Sequence, residues 1–340
     1  MSELFRIAAA IAVSFVAISN MAGQAFPQPV ETMPLQLEAQ IPLGDVRGRI
    51  DHMAIDLARQ RLFIAELGND SVGVVDLKYR KILHRIFGLK EPQGVGYLPS
   101  TDTLYVANGG DGSLRLFQGP NYTANGRIDL GNDADNVRVD QSSQHVVVGY
   151  GDGALAVIDG AKRSKIGEIR LPAHPEGFQL DPVARRAFVN VPDARQIAVV
   201  DLGTGTQVAS WSVPVLRANF PMALDDTSSV LAAVFRSPAR LVLLDTKNGA
   251  MRENLETCDD ADDVFFDSKR HRIYVSCGEG TVDVFQQEAT GYRPLARVKT
   301  MSGARTSLFV PELDRFFVAA RAGFFGLGSD AAILVFRPEP

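Results

Sequence analysis

The chain has 340 residues, 46% of them hydrophobic, and a formal net charge of −5 with both signs interspersed. That is ample material for a large core and unlike a disordered or collagen-like polymer. The absence of a concentrated basic run argues against a nucleic-acid partner, and two cysteines are too few for a disulfide scaffold or a zinc ribbon.

In chain order, the first element reads as an export signal over residues 1–25. A short head with Arg6 precedes the apolar run from Ile7 to Ser19, and small residues follow, ending Gly23-Gln24-Ala25. The apolar run is too short to span a bilayer as a helix of ~20 residues. No cysteine follows it, so a lipid anchor is not expected, nor is membrane insertion once the signal is cleaved. A periplasmic or secreted location follows. Residues 26–34, with Pro27, Pro29 and Pro34, read as an extended leader into one domain over 35–340.

Next comes Leu35-Gln-Leu-Glu-Ala-Gln-Ile41, a strand pattern, and then a repeat. One apolar element ends in Asp or Pro: Met53-Ala-Ile-Asp56, Gly96-Tyr-Leu-Pro99, Val137-Arg-Val-Asp140, Phe178-Gln-Leu-Asp181, Met222-Ala-Leu-Asp225, Val264-Phe-Phe-Asp267 and Leu308-Phe-Val-Pro311. The end points lie 41 to 44 residues apart. Each is followed by a β-branched and aromatic run such as Arg61-Leu-Phe-Ile-Ala-Glu66 or Arg272-Ile-Tyr-Val-Ser-Cys277, and then by a Gly/Asn/Asp turn such as Gly151-Asp-Gly153. A third, alternating run and a weaker fourth complete each unit. Four antiparallel strands per unit of about 42 residues make the blade of a propeller. The strands are lettered a to d from the central channel outward.

Seven units predict an all-β, seven-bladed β-propeller with four-stranded antiparallel blades. The last unit lacks strand d, so the strand near residue 35 is expected to supply it and close the ring, removing exposed edges. No unit has the i, i+3, i+4, i+7 spacing a helical solenoid requires. Leu104-Tyr-Val-Ala-Asn108 with its following turn, and Asp201-Leu-Gly-Thr-Gly205, resemble the repeat signature of the YVTN-repeat (YncE-like) seven-bladed propellers, with looser matches from about residue 35 to 337. The resemblance implies the fold and export. It implies function poorly, because related propellers include lactonases and haem-binding domains.

Residues leading into strand a rim one mouth of a propeller's channel. Aligning the units places Asp51, His52, Gln93, Asn136, His174, Glu176, Asn219, Asp263 and Arg305 at that level, with Asp135 and Asp262 beside them. Their oxygens suit a hard cation, calcium or magnesium. The histidines add a general base or a transition-metal ligand, and Arg305 a partner for a carboxylate or phosphate. The first reading is a ligand site for a small molecule or a protein, with no catalysis assumed. The second is a metal-dependent lactone hydrolase resembling the gluconolactonase-type propellers, with Asn136, Glu176, Asn219 and Asp263 around a divalent metal. The third is a structural or protein-interaction scaffold. Polar channel rims also occur simply to solvate the mouth. Cys258 precedes strand a of the sixth blade and Cys277 ends strand b, on one face, so a disulfide is predicted.

Overall fold

The computed structural model describes residues 33–225, 227–323 and 330–340. The export signal and all but the last two residues of the leader lie outside the described residues. Seven four-stranded antiparallel sheets form, and their strands a are Met53–Asp56, Pro92–Leu98, Ala134–Asp140, Phe178–Asp181, Arg217–Asp225, Ala261–Asp267 and Ser307–Val310. In the seventh sheet the order is Leu35–Gly44, Ala331–Pro338, Arg315–Ala320, Ser307–Val310, so the N-terminal strand supplies strand d of the last blade. Among the described residues no helix is long and apolar enough to cross a membrane.

Local chemistry explains the repeating turn between strands a and b. Where the anchor is Asp, its carboxylate accepts a backbone N–H two or three residues on: Asp56 from Arg59 at 3.1 Å, Asp181 from Ala184 at 3.0 Å, Asp267 from Arg270 at 3.1 Å. Where it is Pro, a 3₁₀ turn begins instead, Pro99–Thr101 and Pro311–Leu313, with proline in the first position that suits its fixed φ. Both solutions deliver the residue before strand b into the left-handed region. Gln60, Asp102, Gln144, Arg185, Ser229, His271 and Asp314 all have φ between 49° and 59°. Each costs about 1 kcal/mol relative to a relaxed backbone, a cost the flanking ladders outweigh.

Neighbouring sheets pack face to face through apolar side chains of strands a, b and c, while strands d leave one face in water. Strand b is the most enclosed: Leu62, Phe63, Ile64 and Ala65 are fully buried. Two blade boundaries carry the same polar clamp. Arg59 binds Asp102 of the next blade bidentately, both bonds 2.7 Å, while also holding Asp56 of its own blade. Arg270 does the same with Asp314 and Asp267. Cys258 and Cys277 are joined by a disulfide, with Cα atoms 5.9 Å apart, between the segment leading into strand a of the sixth blade and the end of its strand b.

Closure is secured by packing as well as by the ladder. Ile41 and Leu43 of the closing strand are buried in one cluster with Ile64 of blade one and Phe317 and Ile333 of blade seven. Truncating Ile41→Ala is expected to cost about 2–4 kcal/mol, read from the denaturant midpoint. A loss well below 1 kcal/mol would mean that the closing strand is not held by the core.

Candidate functional site

The residues leading into strand a occupy one mouth of the channel because of how each inner strand begins. In blades two, three, five and six the a–b register slips, between Pro92 and Val95, Ala134 and Val137, Asn219 and Met222, and Ala261 and Asp263. A β-bulge at these points adds a residue, so consecutive side chains need not alternate between faces. That is why Asp135 with Asn136, Phe220 with Pro221, and Asp262 with Asp263 reach the same space. In blades one and four, Asp51–His52 and Glu176–Gly177 precede the regular strand but remain pinned to strand b by paired backbone hydrogen bonds. Those bonds link Asp51 and His52 with Ala65, and Glu176 and Gly177 with Asn190, at 2.8–3.0 Å. Gly177 lies so close to blade five that an added Cβ would collide with the Phe220 carbonyl oxygen, which also accepts the Gly177 N–H at 3.1 Å.

The result is a cavity of about 210 Å³ to which every blade contributes. Of the residues expected there, Asp51, His52, Gln93, Asn136, His174, Glu176, Asp263 and Arg305 line it. Asn219 does not. Its buried amide donates to Asn190 Oδ1 at 2.7 Å and to the Gln196 carbonyl at 3.2 Å, because the bulge after it turns Phe220 and Pro221 to the cavity instead. The oxygen quartet of the lactonase reading is therefore not assembled around one point. Among the described residues no group of three or more His, Cys, Asp or Glu side chains is placed to hold a metal ion.

Four charged lining residues were not anticipated: Arg49, Asp133, Arg138 and Arg236. Arg138 stands two positions beyond Asn136 on strand a, so period-two alternation could have flagged it. Arg236 comes from the end of a longer strand b, Val230–Ser237, which no unit alignment singles out.

Most charges in the cavity are satisfied within it. Arg49 Nη2 is 2.8 Å from Asp51. Arg236 and Arg305 both hold Asp260 and Asp262, with shortest contacts of 2.6 and 2.7 Å, and the Arg236 guanidinium lies 4.1 Å from the Phe220 ring centre. His174 sits 2.6 Å from the Gly151 carbonyl and within 4.0 Å of Asp133 and Asp135. Burial opposes charge on this imidazole, but Asp135, the Gly151 carbonyl and Asp133 outweigh it and push its pKa up to about 9. Gln93 donates to Asp133 at 3.1 Å.

Three groups stand apart. The Glu176 carboxylate has no hydrogen bond or ion pair among the described residues, and burial, reinforced by Asp135, pushes its pKa up to about 7. Asp263 accepts one bond, from the Ser307 N–H at 2.7 Å, and burial likewise lifts it to about 7. Asn136 is 2% exposed and its Oδ1 has no hydrogen-bond partner among the described residues, an arrangement that disfavours the free protein. Below them, His52, Arg138 and Asp263 also border a second channel space of about 490 Å³, whose mixed walls include Val95, Val137, Val264 and Phe309.

No protein-family profile matches the chain, and no curated protein sequence does. Solved structures do resemble it. A chain in a structure described as the crystal structure of the mitotic checkpoint complex superimposes with TM-score 0.77 at 12% identity, over 96% of this chain and 99% of that one. A chain of Kuenenia stuttgartiensis hydrazine synthase gives 0.73 at 15% identity, over 92% and 99%. At such identities the likeness establishes the seven-bladed fold alone.

An acid whose folded pKa lies above its unfolded value stabilises the fold below the unfolded pKa, and that contribution is lost as pH rises through the folded one. For Glu176 the window runs from 4.5 to about 7. Glu176→Gln is thus expected to leave stability unchanged at pH 4.5 and raise it by about 2–3 kcal/mol at pH 8. Denaturant titrations at the two pH values check this, and equal effects at both would refute it.

Proposed function

We propose that this propeller is exported and binds a small polar ligand at the acidic mouth of its channel, without catalysing a reaction on it. The observation that carries the reading is the contrast within one cavity. Side chains from all seven blades converge, most of them mutually paired, while buried Asn136 and half-buried Glu176 retain unused hydrogen-bonding capacity with no partner among the described residues. A rim that merely solvates the channel has no reason to bury groups in that state. A concave site with a few convergent polar groups and shifted acids is what ligand pockets share.

Export is supported by the composition of residues 1–25 and by the Cys258–Cys277 disulfide, which suits an oxidising compartment. The motifs at Leu104–Asn108 and Asp201–Gly205 support kinship with the YVTN-repeat propellers. Against the lactonase reading stands the withdrawal of Asn219 into its bond with Asn190.

A thermal-shift panel of amines, carboxylates, neutral sugars, Ca²⁺ and Mg²⁺ tests the binding reading. At least one organic class is expected to raise the melting temperature of wild type by several degrees and to lose that gain in Asn136→Ala. No response from any class, in either protein, would end the proposal. Lactone turnover abolished by chelation and by Glu176→Ala would replace it with the hydrolase reading. Separately, residues 1–25 fused to a reporter are expected to direct it across a bacterial inner membrane with cleavage, and retention in the cytoplasm would refute export.

A further inference from the structure

The cavity's lining is out of balance: six carboxylates face four guanidiniums and the His174 imidazolium, an excess of one negative charge with all of them ionised. Much of the positive charge is already used within the protein. Arg49 is engaged by Asp51, Arg236 and Arg305 by Asp260 and Asp262, and His174 by Asp133 and Asp135. Arg138 donates to the Val137 carbonyl at 3.0 Å and its guanidinium lies 5.4 Å from the centre of the Phe178 ring. The acceptors with unused capacity are both oxygens of Glu176, one oxygen of Asp263, and Oδ1 of Asn136, which is 2% exposed; on the donor side Arg138 keeps N–H groups beyond the one given to Val137.

Resting on the ligand-binding reading above, we propose that the occupant is a small organic ammonium ion whose N–H groups are accepted by Glu176, Asp263 and Asn136. A primary ammonium brings three donors and one positive charge, which match three acceptors and a surplus of negative charge. An anion would have to enter against that surplus, with Arg138 as its one guanidinium not held by a carboxylate among the described residues. A neutral polyol would leave the carboxylates desolvated without a counter-charge. A hard metal, whose shell water can complete around one or two carboxylates, is the competing cation, and Ca²⁺ in the titration below decides between them. The charged groups facing Glu176 are Asp135, Asp262, His174 and His52. Those facing Asp263 are His52, Asp262 and Arg138. A bound cation therefore draws Glu176 and Asp263 into their ionised forms, and binding releases protons near pH 6.5.

The test is calorimetric titration at pH 8 with n-butylammonium, its neutral counterpart n-butanol, butyrate, tetramethylammonium and Ca²⁺. Butylammonium is expected to bind, with affinity reduced at least tenfold in Glu176→Gln and in Asp263→Asn. Tetramethylammonium, which has the charge but no N–H donors, is expected to bind at least tenfold more weakly. Repeating the butylammonium titration at pH 6.5 in buffers of different ionisation enthalpy should show proton release. If butanol, butyrate or Ca²⁺ binds as tightly as butylammonium, or if tetramethylammonium does, the ammonium assignment falls. If butyrate or butanol binds in wild type and is lost in Asn136→Ala, the assignment falls while the ligand-binding reading stands. If no member of this set or of the wider panel binds, both fall together.

Discussion

The antiparallel ladder between Leu35–Gly44 and Ala331–Pro338 joins the two ends of a sequence-long array into a ring. Its partners run from Leu35 with Pro338 to Gly44 with Ala331, and it buries Ile41 and Leu43 against blades one and seven. Without it, two sheet edges would be open and the first and last inner strands would have no reason to stand beside each other. With it, Arg49, Asp51 and His52 from one end of the chain share a cavity with Arg305 from the other. The hydrogen bond from the Thr306 hydroxyl to the Ile50 carbonyl, at 3.2 Å, crosses that seam.

Given closure, the inner strands decide what the mouth presents. Regular pleating would send one of each consecutive pair toward a neighbouring blade. The bulges interrupt that alternation in four blades at the level of the cavity, and they convert a rim into a site dense in charge. The same geometry explains the exclusion of Asn219, which sits just before the slip and is buried beside Asn190 rather than facing the axis.

The site is held at the expense of the fold. Glu176 and Asp263 are partly desolvated acids lifted toward neutrality, and Asn136 is buried with no partner for its oxygen among the described residues. Such groups destabilise an empty protein and are what a ligand of complementary charge would satisfy. The surrounding ion pairs differ in kind. Those of Arg236 and Arg305 with Asp260 and Asp262 are closed within the protein and fix the walls. By contrast, the clamps of Arg59 with Asp102 and Arg270 with Asp314 sit at blade boundaries in the a–b turns and tie adjacent blades together.

The sequence by itself determined the number of blades, the four-strand unit and the closing strand, because each rests on period: 41 to 44 residues between anchors, and alternation within each run. It also placed eight of nine candidate side chains at one mouth, because position in the repeat maps onto height along the channel. Tertiary structure decided the rest. Whether a rim residue faces the axis depends on bulges, which are properties of pairing between two strands and leave no period in one. Whether a charge is free depends on partners brought from other blades, as Arg236 is to Asp262 and Gln93 to Asp133. A linear sequence lists charges, but only the closed ring sets which of them are neutralised and which are left facing the cavity.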